Sequence, residues 1–301
     1  MTTSFRSRPL PGTVAWAIRR AEWGVLGITE EDLDKPKIAI VNSSSGLAAC
    51  FAHLDLVAAK VKEAIREAGG VPFEIRTAAP SDFVTSAGHR GGYILAGRDL
   101  IVNDVEVAVE GALLDGMVCL ASCDKTVPGQ LMAAARLNIP TIVVACGYQP
   151  SGKWRGEPID IEELWLRAAQ HAAGDPRYSE EELREMAAEA IKGPGVCPGM
   201  GTANSMHMVA EALGLALPGT TPVLALSPKM WEAARLAGRQ IVALVEQGLR
   251  PRDILTPDAF ANAVMVMLAV GGSLNTIKHL QAIAEEGEVA VDVYRLFETL
   301  G

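Results

Sequence analysis

Three cysteines occupy positions at which a thiolate could bind a metal. Cys50 and Cys123 each follow a predicted strand and precede a predicted helix, and Cys197 lies in the loop GPGVCPGMG (193–201) ahead of another helix. A helix N-terminus lowers the pKa of a thiol and favours the anion that a metal requires. Three thiolates without a fourth suit an iron–sulfur cluster that leaves one iron position open to a substrate oxygen. Because long stretches of sequence separate the three, spacing alone leaves open whether they meet.

Oxygen donors follow the same predicted strands. Asp82 lies in APSDFV, and Asp124 follows Cys123 directly, so two carboxylates could converge on a hard cation such as Mg²⁺. Lys125 would lie beside them, and its ammonium would repel the ion unless it were neutralised, for example by carbamylation. The alternative for each acid is a helix cap or a solvated loop.

Other polar groups near these junctions allow two interpretations each. His53 lies at the start of the first long predicted helix, where it either approaches a ligand or is merely packed. The serines of VNSSSG (41–46) could bind a phosphate, although no complete nucleotide-binding motif is present. Cys119 and Cys146 lie inside apolar strands, which favours a buried, non-ligating role for both.

Apolar strands alternate with helices along the chain, and this alternation predicts an α/β fold with a mostly parallel sheet and helices on both faces. A polar, helix-rich excursion from the sheet is predicted at about 155–192. Strands are predicted at 37–42, 72–77, 116–122, 140–146 and 222–226. Helices are predicted at about 51–68, 94–113, 128–138, 160–172, 179–191, 202–216, 229–247, 257–269 and 275–286.

Composition narrows the classes of function. The chain has 301 residues with a net charge of -9, which disfavours binding to a nucleic-acid backbone. The longest apolar runs are too short to cross a bilayer, so no membrane association is predicted. Five cysteines without an export signal predict reduced thiols and a cytoplasmic protein.

Several motifs in fixed order resemble the dihydroxy-acid dehydratase/6-phosphogluconate dehydratase family, and the resemblance runs along nearly the whole chain. The motifs are FRSR (5–8), CFAH (50–53), the Ser-Asp pair at 81–82, LAGRDLIVNDVEVAVEG (95–111), DGMVCLASCDKTVPGQLMAAARLNIP (115–140), GPGVCPGMGTANSMHMVAEALGLALPG (193–219) and GGSLNT (271–276).

The resemblance implies a dehydratase that converts a 2,3-dihydroxy carboxylate or sugar acid to a 2-keto acid. It implies an iron–sulfur cluster on Cys50, Cys123 and Cys197; we favour the [2Fe-2S] type, and the [4Fe-4S] type stays open. It also implies a magnesium ion on Asp82, Asp124 and Lys125, with carbamylation of the lysine left open. We take Lys125 and His53 as the candidate catalytic residues.

The resemblance is incomplete in two respects. Ala48-Ala49 stands where many family members have Thr-Pro, and the segment after Cys146 is divergent. Family members usually continue into a β-rich second domain that supplies a magnesium-binding glutamate and a serine base. We therefore interpret residues 1–301 as the cluster- and magnesium-binding N-terminal α/β domain, which assembles with a separate C-terminal-domain subunit, with further copies of itself, or with both. Its substrate is a small dihydroxy acid.

Two further hypotheses remain. The chain could be a non-catalytic paralogue that assembles with a full-length dehydratase. From the residues alone, it could also be a phosphosugar-binding α/β module that uses Ser43 to Ser45.

Overall fold

A four-stranded parallel sheet lies at the centre of the molecule, in a computed structural model that describes residues 5–86 and 91–301. The strands are β1 (Lys37–Asn42), β2 (Val71–Arg76), β3 (Gly116–Ala121) and β4 (Thr141–Ala145), in the spatial order β2-β1-β3-β4. All residues of β1, β3 and β4 are buried, as expected for parallel strands covered on both faces.

Helices connect the strands and cover the sheet. In the described residues they are α1 (Val14–Val25), α2 (Leu54–Glu67), α3 (Asp82–Ser86), α4 (Gly92–Val109), α5 (Thr126–Leu137), α6 (Ile161–Ala172), α7 (Glu180–Ala190), α8 (Thr202–Ala212), α9 (Pro228–Gln247), α10 (Pro251–Ile254), α11 (Pro257–Val270), α12 (Asn275–Glu286) and α13 (Val293–Leu300). None of them has the combination of length and apolar character that crossing a bilayer requires.

The helices form layers on both faces of the sheet. On one face, α2 and α9 pack together against the strands. On the other face, α4 and α5 contact the sheet, and α8, α11 and α12 form a further layer behind them. The predicted α/β fold, with a parallel sheet and helices on both faces, is confirmed. No β-rich second domain occurs within 5–86 and 91–301.

The fifth predicted strand, at 222–226, is wrong. This segment forms a single bridge, in which the Tyr148 N–H donates to Val223 O and the Ala225 N–H donates to Tyr148 O. Pro222 has no N–H to donate, and Leu226 adopts a left-handed φ of 60°. A regular ladder therefore cannot extend in either direction.

The segment between β4 and α8 leaves the sheet and forms a small subdomain of its own. A two-stranded antiparallel hairpin of β5 (Gly152–Trp154) and β6 (Glu157–Ile159) is followed by α6 and α7. Asp160 caps α6, and Ser179 caps α7 in a capping box with Glu182. The apolar side chains between these elements form a separate small core, consisting of Ile159, Met186 and Ala190.

A buried carboxylate fastens the N-terminal segment to the amino end of the sheet. Asp115 accepts hydrogen bonds from the Ser7 N–H at 2.9 Å, from Ser7 Oγ at 2.6 Å and from the Lys37 N–H at 2.7 Å. Three donors satisfy both of its oxygens in a place that water does not reach. The FRSR motif therefore has a structural role at the end of the sheet opposite to the candidate site.

Candidate functional site

The carboxyl ends of the parallel strands carry most of the predicted site residues. The chain leaves β1 through a loop that leads to Cys50 at the start of α2, and it leaves β3 directly into Cys123, Asp124 and Lys125 ahead of α5. Asp82 begins α3, after β2. Because parallel strands end at one edge of a sheet, these residues lie on the same side of the molecule.

Two of the three predicted cluster cysteines, Cys50 and Cys123, lie close enough for their thiols to interact. A hydrogen bond between the thiols, together with burial, raises the pKa of Cys50, and the same hydrogen bond lowers the pKa of Cys123. The loop before α8 brings Cys197 close to them, and burial and the charge of Cys123 raise its pKa. All three cysteines line one cavity of about 280 Å³.

Lys125 lies between two carboxylates. Its Nζ donates to Asp82 Oδ2 at 3.0 Å and also to Asp124 Oδ2. Burial opposes the charge of Lys125, but the neighbouring charges of Asp124 and Asp82 raise its pKa. Burial and the nearby Asp124 raise the pKa of Asp82 to about 7. Burial also opposes the charge of Asp124, yet hydrogen bonds from Asp82 and the charge of Lys125 lower its pKa.

The donor chemistry of this edge fits the two predicted metal groups, although the side chains do not form a closed site. Among the described residues, no three His, Cys, Asp or Glu side chains are gathered so as to hold one metal ion. A cluster distributes its thiolate ligands over more than one iron, so three cysteines around a cavity fit it without converging on a point. Two carboxylates and a lysine nitrogen fit a hard cation when that nitrogen carries no positive charge.

A second cavity, of about 360 Å³, joins the acids to the cysteines. Its wall includes Asp82, Asp124, Cys123 and Cys197. The first turn of α8 also lines it, and the N-cap of that helix is Gly201, which has no side chain to bond the free N–H groups. The cavity therefore offers carboxylates, thiols and backbone donors to one bound molecule.

The subdomain between β4 and α8 contributes two side chains that the sequence analysis did not identify. Glu162 and Trp165, one helical turn apart on α6, both line the larger cavity. Glu162 is half-buried, and burial and the charge of Asp160 raise its pKa. No sequence motif marks Glu162, since its place in the cavity depends on how α6 packs against the loop before α8.

Asn204 holds that loop in place. Its Nδ2 donates to Cys197 O at 2.9 Å and to Gly199 O at 2.8 Å. The side chain is buried, so these two bonds fix the backbone that carries the third cysteine. The only sequence signal was its position, shortly after Cys197 at the start of a predicted helix.

His53 is buried at the N-cap of α2, and its Nε2 lies 2.7 Å from Cys146 O, to which it donates. Burial lowers its pKa, which favours the neutral ring. In the described part of the chain, neither cavity wall includes His53. A catalytic role for His53 stays a prediction, and this geometry does not support it.

The remaining candidate residues are buried or form hydrogen bonds with other groups of the protein. Cys119 and Cys146 are fully buried, in β3 and directly after β4, and all five cysteines are free. Ser43 Oγ is 2.7 Å from Thr77 Oγ1, and Ser45 Oγ accepts from the Leu47 N–H. The Ser44 side chain hydrogen-bonds with the Asp55 carboxylate, so all three serine hydroxyls are engaged within the protein, which does not favour the phosphosugar hypothesis.

Comparison with known proteins matches the chain to one family and to relatives that share one name. The family description "Dihydroxy-acid/6-phosphogluconate dehydratase N-terminal" matches residues 35–300. A dihydroxy-acid dehydratase of Pyrococcus abyssi is 42% identical over 287 residues, covering 94% of this chain and 51% of that protein. Another, of Desulfitobacterium hafniense, is 43% identical over 274 residues, covering 91% of this chain and 48% of that protein.

A third relative gives the same result. The dihydroxy-acid dehydratase of Methanothermobacter thermautotrophicus is 43% identical over 260 residues, covering 86% of this chain and 47% of that protein. The chain thus spans about half the length of the curated relatives it matches. The family match covers most of the chain, including the loops that carry the cysteines and the acids. The chain therefore belongs to the dihydroxy-acid/6-phosphogluconate dehydratase family and corresponds to its N-terminal part.

Proposed function

We propose that this chain is the metal-carrying part of a dehydratase that converts a 2,3-dihydroxy carboxylate to a 2-keto acid. The observation that carries the proposal is the meeting of Cys123, Cys197, Asp82 and Asp124 around one cavity at the carboxyl edge of the sheet. In the reaction, the C2 proton and the C3 hydroxyl leave as water, and the resulting enol becomes the ketone.

The residues of the site divide into two ligand sets. Cys50, Cys123 and Cys197 would hold an iron–sulfur cluster, for which we favour the [2Fe-2S] type. Asp82, Asp124 and Lys125 would hold Mg²⁺, with Lys125 as an uncharged or carbamylated ligand. When bound, these groups supply Lewis acidity to the substrate's oxygens.

The protein itself orients the substrate and excludes water. The first turn of α8 lines the cavity with free N–H groups, and the helix dipole there favours negative charge, so we place the substrate's carboxylate beside it. Phe83 and Val196 close part of the wall with apolar surface. We keep Lys125 as a candidate catalytic residue because its Nζ lies between the two acids.

The curated relatives are about twice as long as the part that this chain matches. We propose that a separate companion chain corresponds to their other half and acts together with this chain. The assembly also contains further copies of this chain. Co-purification from the native cell under argon tests this. A companion that copurifies and raises the rate of keto-acid formation is expected.

Anaerobic purification tests the cluster. We expect a brown protein with iron and sulfide, and we expect Cys50→Ser, Cys123→Ser and Cys197→Ser each to lower the iron content, while Cys119→Ala, inside the sheet, serves as the matched control. A colourless chain without iron after anaerobic reconstitution would contradict the proposal.

A further inference from the structure

A buried glutamine follows β4, in the segment that diverges from the family pattern. The Gln149 N–H donates to Val196 O at 2.8 Å, and the Val196 N–H donates to Gly147 O at 3.0 Å. These bonds pair Tyr148 with Val196 in a parallel bridge, so the next pair in the same register is Gln149 and Cys197. Because residues in register project to the same face, the two side chains are neighbours.

The backbone of Gln149 packs closely against the cysteine loop. Gly195 adopts a φ of 128°, and a Cβ added there would lie 2.6 Å from Gln149 N. Only glycine combines that conformation with that approach. Two backbone hydrogen bonds and this contact therefore set the position of Gln149 relative to Cys197.

The side-chain amide of Gln149 has no partner in the described part of the chain. The residue is 2% exposed, its Oε1 is buried without a hydrogen bond, and no group within 5–86 and 91–301 bonds to its Nε2. A half-turn about the last side-chain torsion exchanges the two ends, so the amide can present either its oxygen or its N–H groups to the same place. Since a buried amide without a hydrogen bond is costly, we expect this one to pair with a bound group.

The cavity beside Gln149 favours one kind of partner. Gln149 lines the cavity of about 280 Å³ together with Cys50, Cys123 and Cys197, and most of the other side chains in its wall are apolar. Among the described residues, Ser81 is the one further polar side chain in that wall, and it hydrogen-bonds with Cys50. A cluster held by three thiolates is anionic and offers sulfur atoms as acceptors, so the N–H end of the amide fits it better than the oxygen does.

We propose that Gln149 is a positioning residue that donates a hydrogen bond from its side-chain N–H to a sulfur atom of the iron–sulfur cluster, on the side of Cys197. The proposal rests on the cluster ligation proposed above. A hydrogen bond to sulfur withdraws electron density from the iron and stabilises the reduced cluster, which carries one more negative charge. Gln149 therefore raises the reduction potential of the cluster and makes its open iron a stronger Lewis acid toward the substrate's C3 hydroxyl.

Redox titration of the anaerobically purified chain with its cluster tests the effect on the potential. Gln149→Leu removes the donor and approximately keeps the size of the side chain. At a fixed potential, the ratio of reduced to oxidised cluster should fall about tenfold, a shift of ~59 mV toward negative potential for one electron. Gln130→Leu removes a second buried amide, which donates to Leu120 O and lies outside both cavity walls in the described part of the chain, so the ratio should change less than about twofold.

An isotope label separates a hydrogen bond from a change in the polarity of the cavity, which leucine also causes. With the side-chain nitrogen of glutamine labelled, pulsed electron paramagnetic resonance of the reduced cluster should show a coupling to the label in the wild type and in Gln130→Leu. The coupling should be lost in Gln149→Leu. Iron content and melting by circular dichroism are measured for each variant. Because no other glutamine of the described residues lines this cavity, the wild-type spectrum decides even where the variant fails to hold a cluster.

The outcomes are distinguishable. A Gln149→Leu cluster with the wild-type potential, or a wild-type cluster without coupling to the label, would overturn the role of Gln149 and leave the cluster proposal intact. A wild-type chain without iron after anaerobic reconstitution would contradict the cluster proposal itself, and with it the role of Gln149.

Discussion

Asp115 and Asp124 lie at opposite ends of the same strand, and the two ends accommodate a buried carboxylate in different ways. At the amino end of β3, three donors satisfy Asp115, and Lys37 and Arg19 lie nearby. At the carboxyl end, Asp124 shares one ammonium with a second acid, whose pKa rises to about 7. A carboxylate whose oxygens all accept hydrogen bonds stabilises the fold, whereas a crowded pair of acids with a raised pKa is typical of a ligand-binding site.

The largest effect should follow from Asp124→Asn. If the crowded end serves a ligand, dehydratase activity of the assembled enzyme should fall about 10³-fold or more, because several kcal/mol of charge stabilisation by the ion are lost. The melting temperature should change little, since the substitution removes one of two acids that compete for Lys125. Asp258→Asn, on the exposed first turn of α11, is the control. Full activity in Asp124→Asn would instead favour the non-catalytic paralogue.

Asp115→Ala should show the reverse pattern in stability. Removing the acceptor leaves three buried donors at Ser7 and Lys37 unpaired, and each costs about 1–3 kcal/mol, so the free energy of unfolding should fall by about 3–5 kcal/mol. Urea denaturation followed by circular dichroism measures it. Asp34→Ala, which breaks the exposed pair with Arg8, should cost less than about 1 kcal/mol. Equal costs for the two variants would remove the distinction between a satisfied and an exposed acid.

A smaller effect is expected for Asn204→Ala, which tests whether the loop before α8 is held for ligand binding. Loss of the bonds to Cys197 O and Gly199 O should lower the affinity for iron about 10- to 100-fold, as for other residues that support a metal ligand. Iron retention against a chelator measures it. Asn103→Ala, on the exposed face of α4, is the control, and unchanged retention in Asn204→Ala would show that the loop does not depend on this side chain.

The smallest effect is expected within the sheet core. Cys146→Ala removes one buried sulfur, and it should lower the free energy of unfolding by about 1 kcal/mol without changing the iron content. Iron analysis beside Cys197→Ala makes the comparison. A loss of iron in both variants would contradict the assignment of Cys146 as a buried, non-ligating residue and Cys197 as an iron ligand.

The sequence predicted the parts of the molecule that local pattern controls. The four strands of the sheet and the helices on both faces follow from apolar runs and helical periodicity, and the ligand candidates follow from positions at strand ends. Residues 222–226 have the composition of a strand but form a single bridge, because Pro222 and Leu226 prevent a ladder. Helix α1 was missed, although Thr13 caps it by accepting from the Trp16 N–H; none of its residues is buried.

The site was less predictable than the fold. Glu162 reaches the cavity only because Gly199 and Gly201 leave room for its carboxylate, and this contact joins residues far apart in sequence. Asn204 likewise acts through two carbonyl groups, which have no sequence signature. His53 lies at the start of α2, where the sequence allowed a contact with a ligand, but its ring donates a hydrogen bond to Cys146 O.

The subdomain of β5, β6, α6 and α7 has a core of its own, formed by Ile159, Met186 and Ala190. Mutations there can accumulate without disturbing the packing of the sheet that positions the sulfur and oxygen ligands. Substitutions in this subdomain can therefore remodel one wall of the cavity while the sulfur and oxygen groups at the strand ends stay in place.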